Sequence, residues 1–200
     1  MKKKIIITGG LGYIGTELCK LYSGVSWHHE IIVIDNRFIS ERVNQIRNWN
    51  MLFIQGNILD KSLMKKYCSD ADIVHHLAGI TQVPRTKSEA NESQDKKIIE
   101  VAEKGTQNIL DVISKNCKII FPSTHVVYEG INEVKLDIKE NELTKPVLSY
   151  SSSKAINENQ LKKSGKNYII LRLGSVYGYS TDSMRIDIMP NLFSKIASQD

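Results

Sequence analysis

Ile5-Ile6-Ile7-Thr8-Gly9-Gly10-Leu11-Gly12-Tyr13-Ile14-Gly15 is the stretch on which the fold turns. Three consecutive isoleucines predict a short strand buried on both faces, as in a parallel sheet covered by helices. A glycine-rich turn follows, and Tyr13 to Leu21 then carries apolar residues at helical spacing. A strand that passes through such a turn into a helix gathers backbone N–H groups and the positive end of the helix dipole at one point, which suits a pyrophosphate. The next predicted strand, Ile31–Asp35, ends in an acid at the offset behind the last glycine, about twenty residues, that dinucleotide-binding units use. A carboxylate there accepts hydrogen bonds from ribose hydroxyls and repels a 2′-phosphate. Arg37 pulls the other way, because a guanidinium can pair with that phosphate.

Outward from this stretch, short apolar runs alternate with longer amphipathic ones. Strands are predicted at Lys4–Thr8, Ile31–Asp35, Met51–Gln55, Ile73–Leu77, Lys118–Pro122 and Tyr168–Leu173. The longest helical pattern runs from about Glu92 to Ser114, where Ile98, Ile99, Val101, Ala102, Ile109, Leu110 and Ile113 trace one face. A shorter one, Leu192 to Ala197, follows Met189-Pro190-Asn191. The alternation predicts an α/β fold, a doubly wound parallel sheet with ligands at the carboxyl ends of its strands. Residues 1–174 are expected to form one such domain, and nothing in residues 175–200 closes a second lobe, so either a minimal domain or a fragment of something longer is expected.

Composition narrows the partners. The formal charge of +5 would suit an anionic ligand, although a generally Lys-rich composition explains it as well. No basic residues cluster with aromatics as a nucleic-acid groove requires. Cys19, Cys68 and Cys117 are far apart and form no C-x-x-C pair, so buried free thiols in a reducing compartment are expected. Met1-Lys2-Lys3-Lys4 before Ile5 faintly imitates a secretion signal, but the apolar run stops at Thr8-Gly9-Gly10. No segment approaches membrane-spanning length, and a cytoplasmic protein without membrane contact is expected.

Tyr150-Ser151-Ser152-Ser153-Lys154 places a phenol and an ammonium one helical turn apart on one face. A phenol is a poor base near neutrality, since its reference pKa is about 10. A neighbouring cation favours the phenolate, so the pair can remove a proton from an alcohol while hydride leaves its carbon. The pair opens a helix after Pro146, just beyond a strand ending Phe121-Pro122-Ser123-Thr124, whose hydroxyls would lie at the same strand end.

Thr8-Gly9-x-x-Gly12-x-x-Gly15, Asp35, His76-Leu77-Ala78-Gly79, Ser123-Thr124-x-x-Val127-Tyr128 and Tyr150-x-x-x-Lys154 occur together and in order. With them the chain resembles the extended short-chain dehydrogenases/reductases of the NAD-dependent nucleotide-sugar epimerase/dehydratase type. Leu171-Arg172-Leu173-Gly174-Ser175-Val176-Tyr177-Gly178 resembles that family's entry into the substrate lobe. The resemblance implies a Rossmann-type domain binding NAD. It puts Gly9, Gly12, Tyr13, Ile14 and Gly15 at the pyrophosphate, and Asp35 with Asn36 at the adenosine ribose. Asn57 and Ile58 would flank the adenine, and Leu77, Ala78 and Gly79 would pass along the cofactor. Tyr150 would be the acid/base and Thr124 would hydrogen-bond the reacting sugar hydroxyl. Lys154 would hold the nicotinamide ribose while lowering the tyrosine's pKa. A homodimer through the long helix and the Tyr-Lys helix is implied as well. The chain departs from the pattern at Asn57 (commonly aspartate), Ala102 and Ser175 (often asparagine) and Glu129 (usually glycine).

Other residues draw the eye. His28-His29 and His75-His76 have no acidic or thiol partner at ligand spacing, so no metal is expected. His125 is read as a loop residue or a second proton donor, and Arg85 as a candidate for reaching a diphosphate. Tyr177 and Tyr179 are read as packing residues near the lobe boundary. The expected activity is epimerisation of a nucleoside-diphosphate sugar, in which a hydroxyl is transiently oxidised and hydride returns to the opposite face. A 4,6-dehydratase is the alternative, weakened because His125-Val126 stand where related dehydratases carry Asp-Glu. A reductase, a decarboxylase and a non-catalytic nucleotide-sugar sensor complete the field.

Overall fold

The computed structural model describes residues 2–81, 91–180 and 184–199. Six strands form one parallel sheet in the order β3-β2-β1-β4-β5-β6. They are β1 Lys4–Thr8, β2 Glu30–Asp35, β3 Leu52–Gln55, β4 Ile73–His76, β5 Lys118–Thr124 and β6 Asn167–Leu173. The helices are α1 Tyr13–Ser23, α2 Ser40–Asn48, α3 Lys61–Cys68, α4 Glu92–Val112, α5 Ser149–Lys163 and α6 Met189–Ala197. The predicted fold class holds, and boundaries move by two residues or fewer except at α6, which starts three residues earlier with Pro190 in its first turn.

The isoleucine run is buried on both faces because alternate side chains enter different cores. Ile5 and Ile7 pack with Ile31, Val33, Leu11, Cys19, Val43 and Ile46 under α1 and α2. Ile6 joins Ile32, Ile34, Val74, Ile119 and Phe121 under α3, α4 and α5, with Met64, Ile109, Leu110 and Leu161 from those helices. The strand order reverses between β1 and β4, and the crevice at their carboxyl ends is where such sheets receive ligands.

Helix α5 breaks the amphipathic rule. Its buried side is polar: Ser151, Ser153, Lys154, Asn157 and Glu158 are all enclosed. Each is partnered. Asn157 donates to the Ala102 carbonyl of α4 at 2.9 Å, and Lys154 to the Pro122 carbonyl of β5 at 2.8 Å. Glu158 takes Ser123 Oγ at 2.6 Å and a two-pronged contact from Arg172 of β6 at 2.9 and 2.6 Å.

Beyond β6 the sheet gains no further strand among the described residues, and Tyr168, Ile169 and Leu171 are 37%, 40% and 43% exposed. Tyr177 and Tyr179, expected to pack, are exposed, because the segment after β6 runs outside both cores. All three cysteines are buried and unpaired. Among the described residues, no helix is long and apolar enough to cross a membrane, and no group of three metal-ligating side chains gathers.

Candidate active site

The first turn is built for close approach. Gly9 sits at φ +71°, and a Cβ there would lie 2.7 Å from the Ala78 nitrogen, so the turn rests directly on the backbone leaving β4. Gly12 precedes α1 without a capping side chain, and no acid stands in the helix's first turn. That leaves an open, positive helix end beside the crevice. Thr16, one turn on, has a buried hydroxyl with no partner. A bare helix end, a side-chain-free cradle and an unspent hydroxyl fit a dinucleotide's pyrophosphate.

Asp35 is buried at the end of β2. Its Oδ2 accepts from the Leu11 amide at 3.0 Å, and its Oδ1 from the amide and Nε of Arg37 at 3.0 and 3.3 Å. The carboxylate thus braces the glycine turn from behind. Arg37, half-exposed, lies across Asp35 toward Gly12. Asn36 and Asn57 are exposed beside this strand end, and Asn57 Oδ1 is engaged by the Leu59 amide at 3.0 Å. Ile58 turns its side chain inward over Gly105 of α4, so it offers a ligand its backbone.

A hydrogen-bonded chain runs under the crevice. Thr8 Oγ1 accepts the Ala78 amide at 3.3 Å and shares a hydrogen bond of 2.9 Å with His76 Nδ1. His76 Nε2 shares another of 2.9 Å with Thr106 Oγ1 of α4. Burial, helped by the charge of Lys154, pushes His76 down to about 3; burial pushes His75, whose Nε2 faces the Tyr22 hydroxyl at 2.8 Å, down to about 4. Both are neutral in the fold and sit on opposite faces, as adjacent strand residues must. The histidines of the unfolded chain charge first as pH falls, so stability should drop below pH 6.5 by about 1.4 kcal/mol per unit for each. Denaturant titrations from pH 7 to 4 should show that slope, and His76→Gln should flatten it by roughly half. An unchanged slope would mean that His76 is charged in the fold.

The second half of the site stands at the end of β5. Thr124 is buried and accepts the Val126 amide at 3.3 Å, opening the short 3-10 turn His125–Tyr128. His125 leans away, its Nδ1 3.2 Å from the Leu173 carbonyl, so it behaves as the loop histidine of the sequence reading. Tyr150 and Lys154 share a face of α5, the ammonium 5.9 Å from the tyrosine ring centre and 4.5 Å from that of Phe121. Full burial brings Lys154 down to about 8. The tyrosine is raised above its ordinary value, first by burial, and the charge that opposes this is that of Arg185. Lys154 Nζ donates a hydrogen bond to the Pro122 carbonyl.

Three residues escaped the sequence reading. Glu158 repeats the spacing of Tyr150 and Lys154 one turn further on, the only signal that could have exposed it. Arg172 joins it to the Tyr128 hydroxyl and the Glu140 carbonyl. Arg185, paired with Asp187, brings its charge toward Tyr150 from the segment after β6. Tyr13 reaches the same segment, its hydroxyl donating to the Gly178 carbonyl. Leu77, Ala78 and Gly79 follow the carboxyl end of β4, with the Leu77 and Ala78 backbone against the Gly9 turn, while Arg85 lies outside the described residues.

A family model described as "NAD dependent epimerase/dehydratase family" matches residues 5–200. The chain belongs to this family. Among curated relatives, a dTDP-D-glucose 4,6-dehydratase of Dictyostelium discoideum is 29% identical over 197 residues, covering 88% of this chain and 44% of that protein. A UDP-N-acetyl-alpha-D-glucosaminuronate decarboxylase of Bacillus cytotoxicus is 35% identical over 64% of this chain and 38% of its own length. Among solved structures, the UDP-glucose 4-epimerase of Thermotoga maritima with UDP-glucose superimposes with a TM-score of 0.71 at 27% identity, over 87% of this chain and 56% of that one. The UDP-glucuronic acid 4-epimerase of Bacillus cereus, in complex with UDP-glucuronic acid and NAD, gives 0.75 at 25% identity over 100% and 64%. The chain spans less than half the length of these curated relatives.

Proposed function

We propose that this chain carries the cofactor-binding and proton-transfer half of an NAD-dependent nucleoside-diphosphate-sugar epimerase. The observation that carries the proposal is that Lys154, on the same face of α5 as Tyr150, is bonded to Pro122 of β5, the strand that ends in Thr124, in the same sheet whose first turn leads into an open helix end. Bound NAD would supply the hydride acceptor. Tyr150, as phenolate, would take the proton of the reacting sugar hydroxyl and return it after the ketone is reduced on the other face. Thr124 would hold that hydroxyl in line, and Lys154 would exchange the Pro122 carbonyl for the nicotinamide ribose. Residues 1–174 would be the binding domain, with residues 175–200 starting the substrate lobe. Gly12, Tyr13 and Ile14 would meet the pyrophosphate through their amides.

The dehydratase reading draws support from the Dictyostelium relative, but His125 and Val126 give elimination no acid-base pair beside Thr124. Incubation with NAD and a panel of UDP- and dTDP-hexoses, followed by chromatography, separates the readings. A new epimer supports the proposal, a 4-keto-6-deoxy product the dehydratase, and tight NAD binding without conversion a sensor.

Asp35 is the proposed ribose acceptor. Asp35→Ala should weaken NAD by about 10- to 100-fold, the loss of a charged hydrogen-bond partner. NADP should lose far less, because Arg37 is then released to meet the 2′-phosphate. Fluorescence titration with both nucleotides checks this, and equal losses would count against Asp35. A homodimer through α4 and α5 and a cytoplasmic setting belong to the same proposal. The apolar stripe of α4 is spent on the sheet, and its exposed Glu92, Lys96, Glu100 and Lys104 form ion pairs along the helix, so such a dimer would meet a charged face.

A further inference from the structure

The start of helix α5 is held from two sides. Leu148, the residue before its first turn, has no polar side chain, and the helix's own Ser151 hydroxyl lies 3.3 and 3.2 Å from the Val147 and Leu148 amides just ahead of it. A residue from elsewhere in the chain takes the same two amides at shorter range. Glu129 Oε1 accepts the Val147 and Leu148 amides, both at 2.7 Å, and the Ser151 hydroxyl as well. Three donors thus converge on one oxygen, within the turn that carries Tyr150. Burial alone would raise the Glu129 carboxyl, but these donors outweigh it and hold it below its ordinary range, so the anion persists at neutral pH.

The surroundings leave this anchor little play. Glu129 directly follows the 3-10 turn that starts at Thr124. On either side of it, the Lys145 amide donates to the Val127 carbonyl and the Gly130 amide to the Lys145 carbonyl, both at 2.8 Å. A Cβ at Gly130 would stand 2.6 Å from that carbonyl, so the two segments touch backbone to backbone. Glu129 therefore ties the strand end bearing Thr124 to the helix start bearing Tyr150. The pattern that the chain resembles has glycine at this place, which cannot make any of these side-chain bonds.

We propose that Glu129 is a positioning residue for Tyr150: its carboxylate fixes the first turn of α5, and with it the phenol, relative to Thr124 and the cofactor crevice. This rests on the reading of Tyr150 as the proton acceptor beside bound NAD. The readout is how strongly the cofactor's positive ring is felt by the phenol, which depends on their separation and requires no turnover.

The whole chain would be labelled with [ζ-13C]tyrosine, the Tyr150 resonance identified by its absence in Tyr150→Phe, and its ionisation followed from neutral to alkaline pH with and without saturating NAD. NAD should lower the Tyr150 midpoint by about one unit in the wild-type chain. Glu129→Ala should bind NAD within about twofold of wild type yet lose most of that shift. Glu129→Gln, whose amide oxygen can accept the same bonds, should keep it. Glu129→Asp, one methylene shorter, should lose it and serves if the alanine variant does not fold. A full shift in the Ala or Asp variant, even with a lowered melting temperature, would reduce Glu129 to a structural cap and overturn the proposal, as would loss of the shift in Glu129→Gln. A wild-type chain with no shift at all would bring down the reading of Tyr150 itself, so the two failures are told apart.

Discussion

Tyr150→Phe should leave NAD affinity within about twofold of wild type while lowering turnover of nucleotide-hexoses by about 10²–10⁴-fold, the usual worth of a general acid-base group. The ring survives the exchange, so its packing beside Lys154 survives too. What disappears is the oxygen that would accept the proton. Among the described residues no neighbour can replace it. His125 points to the Leu173 carbonyl, Thr124 is too weak a base, and Lys154 is directed at Pro122. Single-turnover measurement of nicotinamide reduction separates binding from chemistry. Undiminished turnover in a folded variant would end the assignment.

Lys154→Met should do the opposite to stability. Burial lowers the Lys154 pKa from 10.5 to about 8, so keeping it charged at pH 7 costs the fold about 3 kcal/mol. Methionine fills the same channel without that cost. It forfeits the hydrogen bond to the Pro122 carbonyl and the contact with the Phe121 ring, so the net gain should be about 1–3 kcal/mol. The pH dependence is diagnostic. The folded chain gives up the Lys154 proton near pH 8, whereas the unfolded chain holds it to 10.5. The wild-type penalty is therefore complete below pH 8 and fades as pH rises toward 10.5. Denaturation of both proteins at pH 7 and pH 10 should show the advantage of the variant shrinking. A variant no more stable than wild type at pH 7 would show that the ammonium is better compensated than its surroundings suggest. The cation would then be retained for what it holds, at the expense of the fold.

The frame of the molecule was legible because parallel strands buried on both faces read as unbroken apolar runs, and Ile5 to Ile7 and Ile31 to Ile34 are such runs. The glycine turn was legible through its spacing, and Asp35 through its offset. Helix α5 was legible only as Tyr150 and Lys154. Its buried face is mostly serine, asparagine, lysine and glutamate, with only Ala155 and Leu161 apolar, so hydrophobic periodicity says little about which side faces the sheet. Glu129 was visible only as a departure from the family pattern, because its partners lie 18–22 residues away, and the bonds of Glu158 to Arg172 and Ser123, 14 and 35 residues away, have no local signal beside its helical pairing with Lys162. The reading of Lys154 as the tyrosine's activator rested on the one-turn spacing of Tyr150 and Lys154 and on the family resemblance. In the folded chain the direction in which the ammonium points decides what it does.

The open flank of β6 has a practical meaning. Among the described residues, the seven residues of β6 form the outer edge of the sheet with Ile169 and Leu171 exposed, which is a template for another copy of itself. Concentrated preparations of this polypeptide should therefore grow by sheet continuation rather than by docking of finished globules. Placing a lysine at Ile169, which pairs with Ile120 four residues before Thr124, would discourage that growth.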